Sequence, residues 1–328
     1  MKRVLVTGGA GYIGSHTCKR LSRGGFEPVV FDNVFRGHEF AVKWGPFVEG
    51  DIRDADALAG AMKTYRPQAV IHFAALAYVG ESVASPADYY DVNVRGTLTL
   101  LEAMRQAGVG SIVFSSSCAT YGQVERLPIT EDFPQVPINP YGRTKLIGEQ
   151  MLADFDAAYG IRHAALRYFN AAGADLDGEL GEYHEPETHL IPRALMAAAG
   201  EIRHLEIYGD DYPTPDGTCI RDYVHVDDLA DAHVRALVAL SGGAESFRVN
   251  LGTGRGLSIR EILDAIHAIT GREVPTLVRP RRAGDPPALY ADTRRASELL
   301  GFTPEHSDVE TIIATAWRSR SASNTATA

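Results

Sequence analysis

Hydrophobic positions in the first half of the chain fall into short unbroken runs separated by longer mixed stretches. The runs Arg3–Thr7, Pro28–Phe31, Phe47–Glu49, Ala69–Phe73, Ser111–Ser115 and His163–Arg167 do not alternate with polar residues. Strands of that kind are covered on both faces, as in a parallel sheet. Helical stretches lie between them, among them Gly14–Arg23, Ala55–Thr64, Tyr89–Ala107 and Tyr141–Tyr159. The pattern predicts an α/β fold with a doubly wound parallel sheet. Right-handed crossovers then place the strand C-termini, and any ligand, along one edge.

Beyond Arg167 the pattern loosens. Asp175–Glu187, Tyr208–Thr218 and Arg279–Pro287 are dense in Gly, Pro and charge and read as loops, whereas Tyr223–Leu240 reads as strand then helix. This predicts a first domain over residues 1–168, to which 222–240 returns, and a smaller α/β substrate-binding domain over 169–317. Residues 318–328 are small and polar and are expected to be an unstructured tail.

Composition narrows the function. With 45% hydrophobic and 23% charged residues, the 328-residue chain is ordinary for a globular protein. No apolar stretch approaches the ~20 residues needed to span a bilayer, and the run after Met1-Lys2-Arg3 stops at Thr7-Gly8-Gly9, too short for a secretion signal. Cys18, Cys118 and Cys219 are odd in number and widely spaced, which suits a reducing compartment, and a cytoplasmic location is expected. A net charge of −10 argues against nucleic-acid binding, so an anionic ligand would need a few arginines converging on one site.

Thr7-Gly8-Gly9-Ala10-Gly11-Tyr12-Ile13-Gly14 follows a strand and opens a helix. Gly8 permits the tight turn, Gly11 the approach of a pyrophosphate, and Gly14 close helix–sheet packing, with the helix N-terminus facing the anion. Asp32, closing the second strand, is suited to accept hydrogen bonds from ribose hydroxyls and would repel a 2′-phosphate, which favours NAD over NADP; nearby Arg36 reads as a solvated loop charge. Asp51-Ile52, after the third strand, either brackets the adenine or forms a strand-end turn.

Tyr141 and Lys145 stand four residues apart, on one face of a predicted helix. There the ammonium would stabilise a phenolate and bring the tyrosine towards working pH as a base for an alcohol. With 14 tyrosines and five lysines the spacing arises by chance about once in five chains, so its context decides: Ser115-Ser116-Ser117 ends the fifth strand, and Tyr141 opens the next helix.

The glycine turn, strand-end serine and Tyr-x-x-x-Lys together resemble the extended short-chain dehydrogenase/reductase family. Within it the chain is most similar to the UDP-glucose (UDP-galactose) 4-epimerase group, over about Lys2 to Trp317. The blocks that carry this are residues 8–16, Val-Gly-Glu-Ser (79–82), Asn-Pro-Tyr-Gly-Arg-Thr-Lys (139–145), Arg-Tyr-Phe-Asn (167–170), Arg-Asp-Tyr-Val-His-Val (221–226), Asn-Leu-Gly-Thr-Gly (250–254) and Arg-Arg-Ala-Gly-Asp (281–285). The resemblance implies a Rossmann-type fold, a tightly bound NAD, reversible epimerisation at C4 of UDP-glucose or UDP-galactose, and a homodimer built on the helices around Tyr89–Ala107 and Tyr141–Tyr159, with Leu98, Leu101, Leu146 and Met151 as apolar contacts. It makes Tyr141 the base, Ser117 a hydrogen-bond partner of the reacting hydroxyl, and Lys145 the ligand of the nicotinamide ribose. It places Tyr12, Ile13, Asp32, Asn33, Asp51, Ile52, Phe73, Ala74, Ala75, Asn93, Ser115 and Tyr168 against NAD. Against the UDP-sugar it places Asn170, His189, Leu190, Tyr208, Arg221, Tyr223, Arg282, Asp285 and Leu289, and the two arginines supply the convergent cations a diphosphate needs.

The chain departs from the group's pattern at two positions. Ala77 stands where a lysine is frequent, removing one cation beside the cofactor, and Leu289 replaces a tyrosine that narrows the sugar pocket, leaving room for an N-acetyl group. A 4-epimerase of UDP-N-acetylhexosamines or UDP-pentoses would share every motif. A sugar-nucleotide 4,6-dehydratase would need acidic groups where Cys118-Ala119 stand, and a non-catalytic NAD(P)-sensing regulator would leave Tyr141 and Lys145 without a task. His184 and His189 superficially offer metal ligands, but Pro186 argues against a helical face and no third ligand follows at useful spacing, so no metal is expected; His189 is read as lining the substrate cleft or capping the helix from Leu190.

Overall fold

The computed structural model describes the backbone of residues 2–282 and 285–326 and the side chains as far as 321. Its central sheet contains β1 (Lys2–Thr7), β2 (Phe26–Asp32), β3 (Phe47–Glu49), β4 (Ala69–His72), β5 (Ser111–Ser117), β6 (Arg162–Tyr168) and, late in the chain, β11 (Phe247–Leu251). The spatial order is β3-β2-β1-β4-β5-β6-β11, and every pairing is parallel. The order reverses between β1 and β4, which opens a crevice at their C-terminal ends.

Both faces of this sheet are dry, which is why its sequence runs do not alternate. Leu5, Val29, Val70 and Ile112 face α2 (Ala55–Tyr65), α5 (Gly96–Ala107) and α6 (Pro140–Tyr159). Their neighbours Val4, Val30, Ile71 and Val113 face α1 (Tyr12–Arg23) and α8 (Val226–Ser241). Each such side chain removed from water contributes about 1.5–3 kcal/mol before the entropy of ordering is deducted.

The remaining strands are short: β7 (Asn170–Ala172) pairs with β10 (Tyr223–His225), and β8 (Leu205–Tyr208) with β13 (Thr276–Arg279). β9 (Ile220–Arg221) lies between β12 (Leu257–Ser258) and β14 (Ala288–Leu289). A second core gathers Ile191 and Leu195 of α7 (Leu190–Ala199), Ile262 and Ile266 of α9 (Ile259–Thr270), and Ile312 and Ile313 of α11 (Val309–Ala326). The other helices are α3 (Val79–Ala84), α4 (Pro86–Tyr89), which runs through a π-helical turn at Tyr90–Arg95 into α5, and α10 (Arg294–Leu300). Among the described residues no helix is long and apolar enough to cross a membrane.

Two expectations are corrected. The predicted boundary left residues 247–251 in the second domain, but β11 completes the main sheet because Phe247, Val249 and Leu251 bury against the face that α8 covers. Residues 318–326 of the predicted tail are instead the end of α11, and 327–328 lie outside the described residues. Arg318 donates to the carbonyls of Asp175 and Leu176 and Arg320 pairs with Glu201, so polar partners hold a segment that has few apolar ones.

Candidate active site

The crevice between β1 and β4 is lined by backbone held unusually close. Gly8 has φ +74°, and a Cβ there would sit 2.5 Å from the amide nitrogen of Ala74. A Cβ at Gly14 would run into the carbonyl oxygen of Gly8. Gly11 is the N-cap of α1 and has no side chain to occupy the first-turn N–H groups, which leaves them for an anion. Phe73 and Ala74 both donate their N–H to the carbonyl of Thr7 (2.9 and 3.1 Å), locking the ends of the two strands together.

Asp32 ends β2, where its carboxylate accepts the N–H groups of Ala10 (3.0 Å) and Val34 (2.9 Å). The bond from Val34 holds that β-branched residue at φ +49°, a conformation it adopts only under constraint. Burial raises the Asp32 carboxyl, opposed by these N–H groups. Asn33 donates to Asp51 (3.0 Å), and Asp51 is itself clasped by Arg53 at 2.6 and 2.8 Å, which holds it well below the usual carboxylate range. Ile52 is buried beneath Gly96, and Ala75 is half-buried. Tyr12 donates to the carbonyl of Gly173 (2.6 Å), Ile13 packs on the core, and the Phe73 ring lies 4.6 Å from that of His233. Asn93 bridges both polar groups of the Leu76 backbone to Thr144 on α6 (2.8–3.0 Å).

Asn139 and Pro140 set where α6 begins. The Asn139 side chain caps the N–H of Gly142 at 2.8 Å, and proline occupies the first helical position, placing Tyr141 in the first turn. A Cβ at Gly142 would strike the carbonyl oxygen of Ala119, and one at Gly148 would sit 2.7 Å from the Phe114 ring. These glycines let α6 lie directly on the end of β5, which brings Tyr141 to the side of Ser117. One turn on, Lys145 Nζ donates to the carbonyl of Ser115 (2.7 Å) and lies 5.9 Å from the Tyr141 ring centroid. Ser115 and Tyr168 share a 2.5 Å hydrogen bond beside them.

The expected lowering of the Tyr141 pKa by Lys145 is not what the geometry produces. Burial pushes the phenol up to about 12, against the hydrogen bond from Ser117, and brings Lys145 down to about 8 despite the nearby Glu149. The reason is distance: the ammonium is turned to the Ser115 carbonyl.

Sequence reasoning missed what lies under Lys145. Glu149 is buried and takes a bidentate ion pair from Arg167 (2.9 and 2.5 Å) and the Ser116 hydroxyl (2.5 Å). Arg167 also donates to Tyr121, which donates to Asn250 (both 2.7 Å). The network ties α6, β5, β6 and β11 together; its only sequence signal is a glutamate four residues beyond the lysine.

Across the cleft, Asn170 Nδ2 donates to the carbonyl of Asp222 (2.9 Å), which ties β7 to β10. Arg221 is held by the carbonyls of Ile220 and Pro286 and faces Asp285 at 3.8 Å. Tyr223, next but one, is buried, and burial raises its phenol. Leu289 pairs in register with Arg221 and packs beside Tyr121, Phe169 and Cys118. Arg282 is exposed and stacks 4.0 Å over the ring of Tyr208. Arg193, in the first turn of α7, adds a second positive charge near Tyr208 that sequence reasoning missed.

Leu190 starts α7 and His189 occupies its N-cap, but the His189 side chain does not cap the helix; its Nδ1 turns to Glu187 (2.8 Å). The expectation that His184 and His189 lack further ligand partners is also overturned. The loop folds back so that Glu182, which precedes them, and Glu187 join them, with one donor atom of each of the four within 4.8 Å of the others. Burial lowers both imidazoles, but hydrogen bonds to Glu182 and Glu187 outweigh it and hold His189 up to about 10.

A glycine-lined turn at a sheet switch point, a buried acid at the end of β2 and a Tyr-Lys-Ser group at the same edge define a nucleotide-linked oxidoreductase site. Residues 4–252 match the NAD dependent epimerase/dehydratase family, and the chain belongs to it. The UDP-glucose 4-epimerase of Rhizobium leguminosarum bv. trifolii is 52% identical over 98% of each chain. The UDP-glucose 4-epimerase of Brucella ovis, solved in complex with NAD, is 63% identical with a TM-score of 0.95, covering 97% of this chain and 98% of that one. A Stenotrophomonas maltophila UDP-glucose-4-epimerase with bound NAD and formylated UDP-arabinopyranose is 41% identical with a TM-score of 0.96, covering 99% and 100%. NAD is the cofactor of this chain, and the close-packed glycines, uncapped α1 N-terminus and Asp32 suit it.

Proposed function

We infer that the chain interconverts UDP-glucose and UDP-galactose by reversible inversion at C4. The observation that carries the reading is the seating of α6 on the end of β5, which sets Tyr141 and Lys145 beside Ser115 and Ser117 at the edge where the glycine turn emerges. Gly8, Gly11, Tyr12, Ile13, Gly14, Asp32 and Asn33 would hold NAD, with Asp51, Ile52, Phe73, Ala74, Ala75 and Asn93 around it and Ser115, Lys145 and Tyr168 at its nicotinamide end. When bound, NAD supplies a hydride acceptor that takes the C4 hydrogen and gives it back, so the cofactor is not consumed.

Tyr141 removes the proton of the C4 hydroxyl as the C4–H bond breaks, and Ser117 holds that oxygen by a hydrogen bond. The product of this half is a 4-keto sugar. Arg221 and Arg282 hold its diphosphate while Asn170, Leu190, Tyr208, Tyr223, Asp285 and Leu289 shape the cleft. Anchoring the nucleotide while leaving the sugar loosely held lets the ketone present its other face, and Tyr141 then returns the proton. Remote binding energy is thus spent on retention, not on fixing one sugar face. The Stenotrophomonas complex, with a UDP-pentose, supports a cleft that reads the nucleotide first.

The test is Tyr141→Phe in purified enzyme without added NAD, with products separated by chromatography. Loss of proton transfer should cost on the order of 10²–10⁴-fold in kcat. Turnover near the wild-type rate removes Tyr141 from the role of base. A UDP-N-acetylglucosamine arm in the same panel measures the room left by Leu289. The reading also includes a cytoplasmic homodimer. Exposed Leu98 on α5 and the half-buried Leu146 and Met151 on α6 are available to a partner, but Leu101 is fully buried in the core and is not.

A further inference from the structure

We propose that Glu182, His184, Glu187 and His189 form a structural site for a tetrahedral divalent cation of borderline softness, Zn²⁺ above all, which clasps the loop before α7 against the phosphate-binding turn.

The donor set is the first ground. Two imidazoles and two carboxylates are a common nitrogen/oxygen shell for zinc. At metal–ligand bonds of about 2.0–2.1 Å, adjacent corners of a tetrahedron lie about 3.3 Å apart. Two edges that share a corner match this, His184 Nδ1 at 3.3 Å and His189 Nδ1 at 3.2 Å from Glu182 Oε1, while Glu187 offers Oε2 to His184 at 3.3 Å and Oε1 to His189. That second contact of Glu187, to His189 Nδ1, is 2.8 Å, so a single Glu187 oxygen would serve the ion after a small turn of the carboxylate.

Charge is the second. The carboxylates of Glu182 and Glu187 are only 8% and 9% exposed and need a counter-charge. Among the described residues, no lysine or arginine forms an ion pair with either. Nearby, Asp175, Asp177 and Glu179 solve the same problem differently: Lys19 Nζ sits among them at 2.6–2.8 Å. The two imidazole rings lie 4.8 Å apart beside these carboxylates, and one divalent ion among the four groups neutralises both Glu182 and Glu187.

Placement is the third. The ring of His184 meets the edge of Tyr12 at 6.0 Å, and Tyr12 belongs to the glycine turn. Tyr78 faces both histidines, and Arg36 stacks over Tyr78 while donating to the Glu185 carbonyl. The cluster therefore fixes the segment leading to Leu190 and Arg193 on one side and touches the cofactor turn on the other. Tying those together is a structural task, independent of which sugar is turned over.

The experiment uses untagged full-length protein, incubated with Zn²⁺, desalted, and analysed by inductively coupled plasma mass spectrometry. Wild type should retain about one zinc per chain, and Glu182→Gln and His184→Ala less than one-tenth of that. Wild type should also lose thermal midpoint on chelation and regain it with Zn²⁺ but not with Mg²⁺. Wild type that retains less than one-tenth of an equivalent, or variants that retain as much as wild type, overturns the site. Should the variants fail to fold, zinc X-ray absorption on wild type decides: a first shell of two imidazoles and two carboxylates at about 2.0 Å upholds it, and a sulfur or all-water shell overturns it.

Discussion

Tyr141 is a phenol held near 12 by burial, four residues from a lysine brought down to about 8. Its resting state at neutral pH is the protonated one, so Tyr141 must first give up its own proton before it can take that of the sugar hydroxyl. Ser117 bears on that moment, because its hydrogen bond lowers the phenol while burial and the neighbouring Cys118 raise it. A hydrogen bond to a developing charge is worth about 1.5–3 kcal/mol, so Ser117→Ala should lower kcat on the order of 10–100-fold with little change in KM. Steady-state kinetics on both sugars would show it; an unchanged kcat would take Ser117 out of the reaction. Tyr141, Lys145 and Ser117 were legible in the sequence because their chemistry is carried by a short spacing and a strand end. Glu149, Arg193 and Glu182 were not: each acquires its meaning from partners or neighbours that only folding brings to it.

The elements were legible wherever burial was two-sided. β1 to β6 stand out as unbroken apolar runs because successive residues enter different cores, Leu5 on one face and Val4 and Val6 on the other. β11 uses the same physics, but it follows a long excursion through the second domain, and nothing local ties it to β6. The end of α11 was missed for the opposite reason: it is fastened by arginine–carbonyl and arginine–carboxylate contacts, which leave no hydrophobic period. At this scale the start of α6 is the part most exposed to mutation. Asn139→Ala removes the cap on Gly142 and should cost about 1 kcal/mol, a drop of a few degrees in Tm. Gly142→Ala should do more harm to activity than to stability, because the added methyl meets the Ala119 carbonyl and lifts Tyr141 away from Ser117. Calorimetry beside kinetics separates the two, and equal losses of both would mean that the helix, not its register on β5, was disturbed.

For the molecule as a whole, burial lowers five histidines in and around the sheet, His163 and His225 among them, and three carry the large shifts. Burial brings His16 and His233 down to about 4, and burial with the Lys145 charge brings His72 to about 3. His72 lies between the hydroxyls of Thr7 (2.6 Å) and Thr97 (3.0 Å), whereas the Nε2 atoms of His16 and His233 are buried without a hydrogen-bond partner among the described residues. An unfolded chain protonates all three near pH 6.5. Between pH 6.5 and 4 these three sites therefore bind up to three more protons in the unfolded state than in the folded one, so their contribution to stability falls as pH falls. Their limiting slope is about 4 kcal/mol per pH unit, and it fades below pH 4, where the folded state also takes up protons. His233 is the position to test, since its ring contacts Phe73 and Tyr168 and its protonation would place a charge in the core that joins α8 to the sheet. Denaturation of His233→Asn at pH 7, 6 and 5 should show a lower starting stability but a slope reduced by about one proton. The same slope as wild type would mean that the acid sensitivity of this fold is carried by its carboxylates instead.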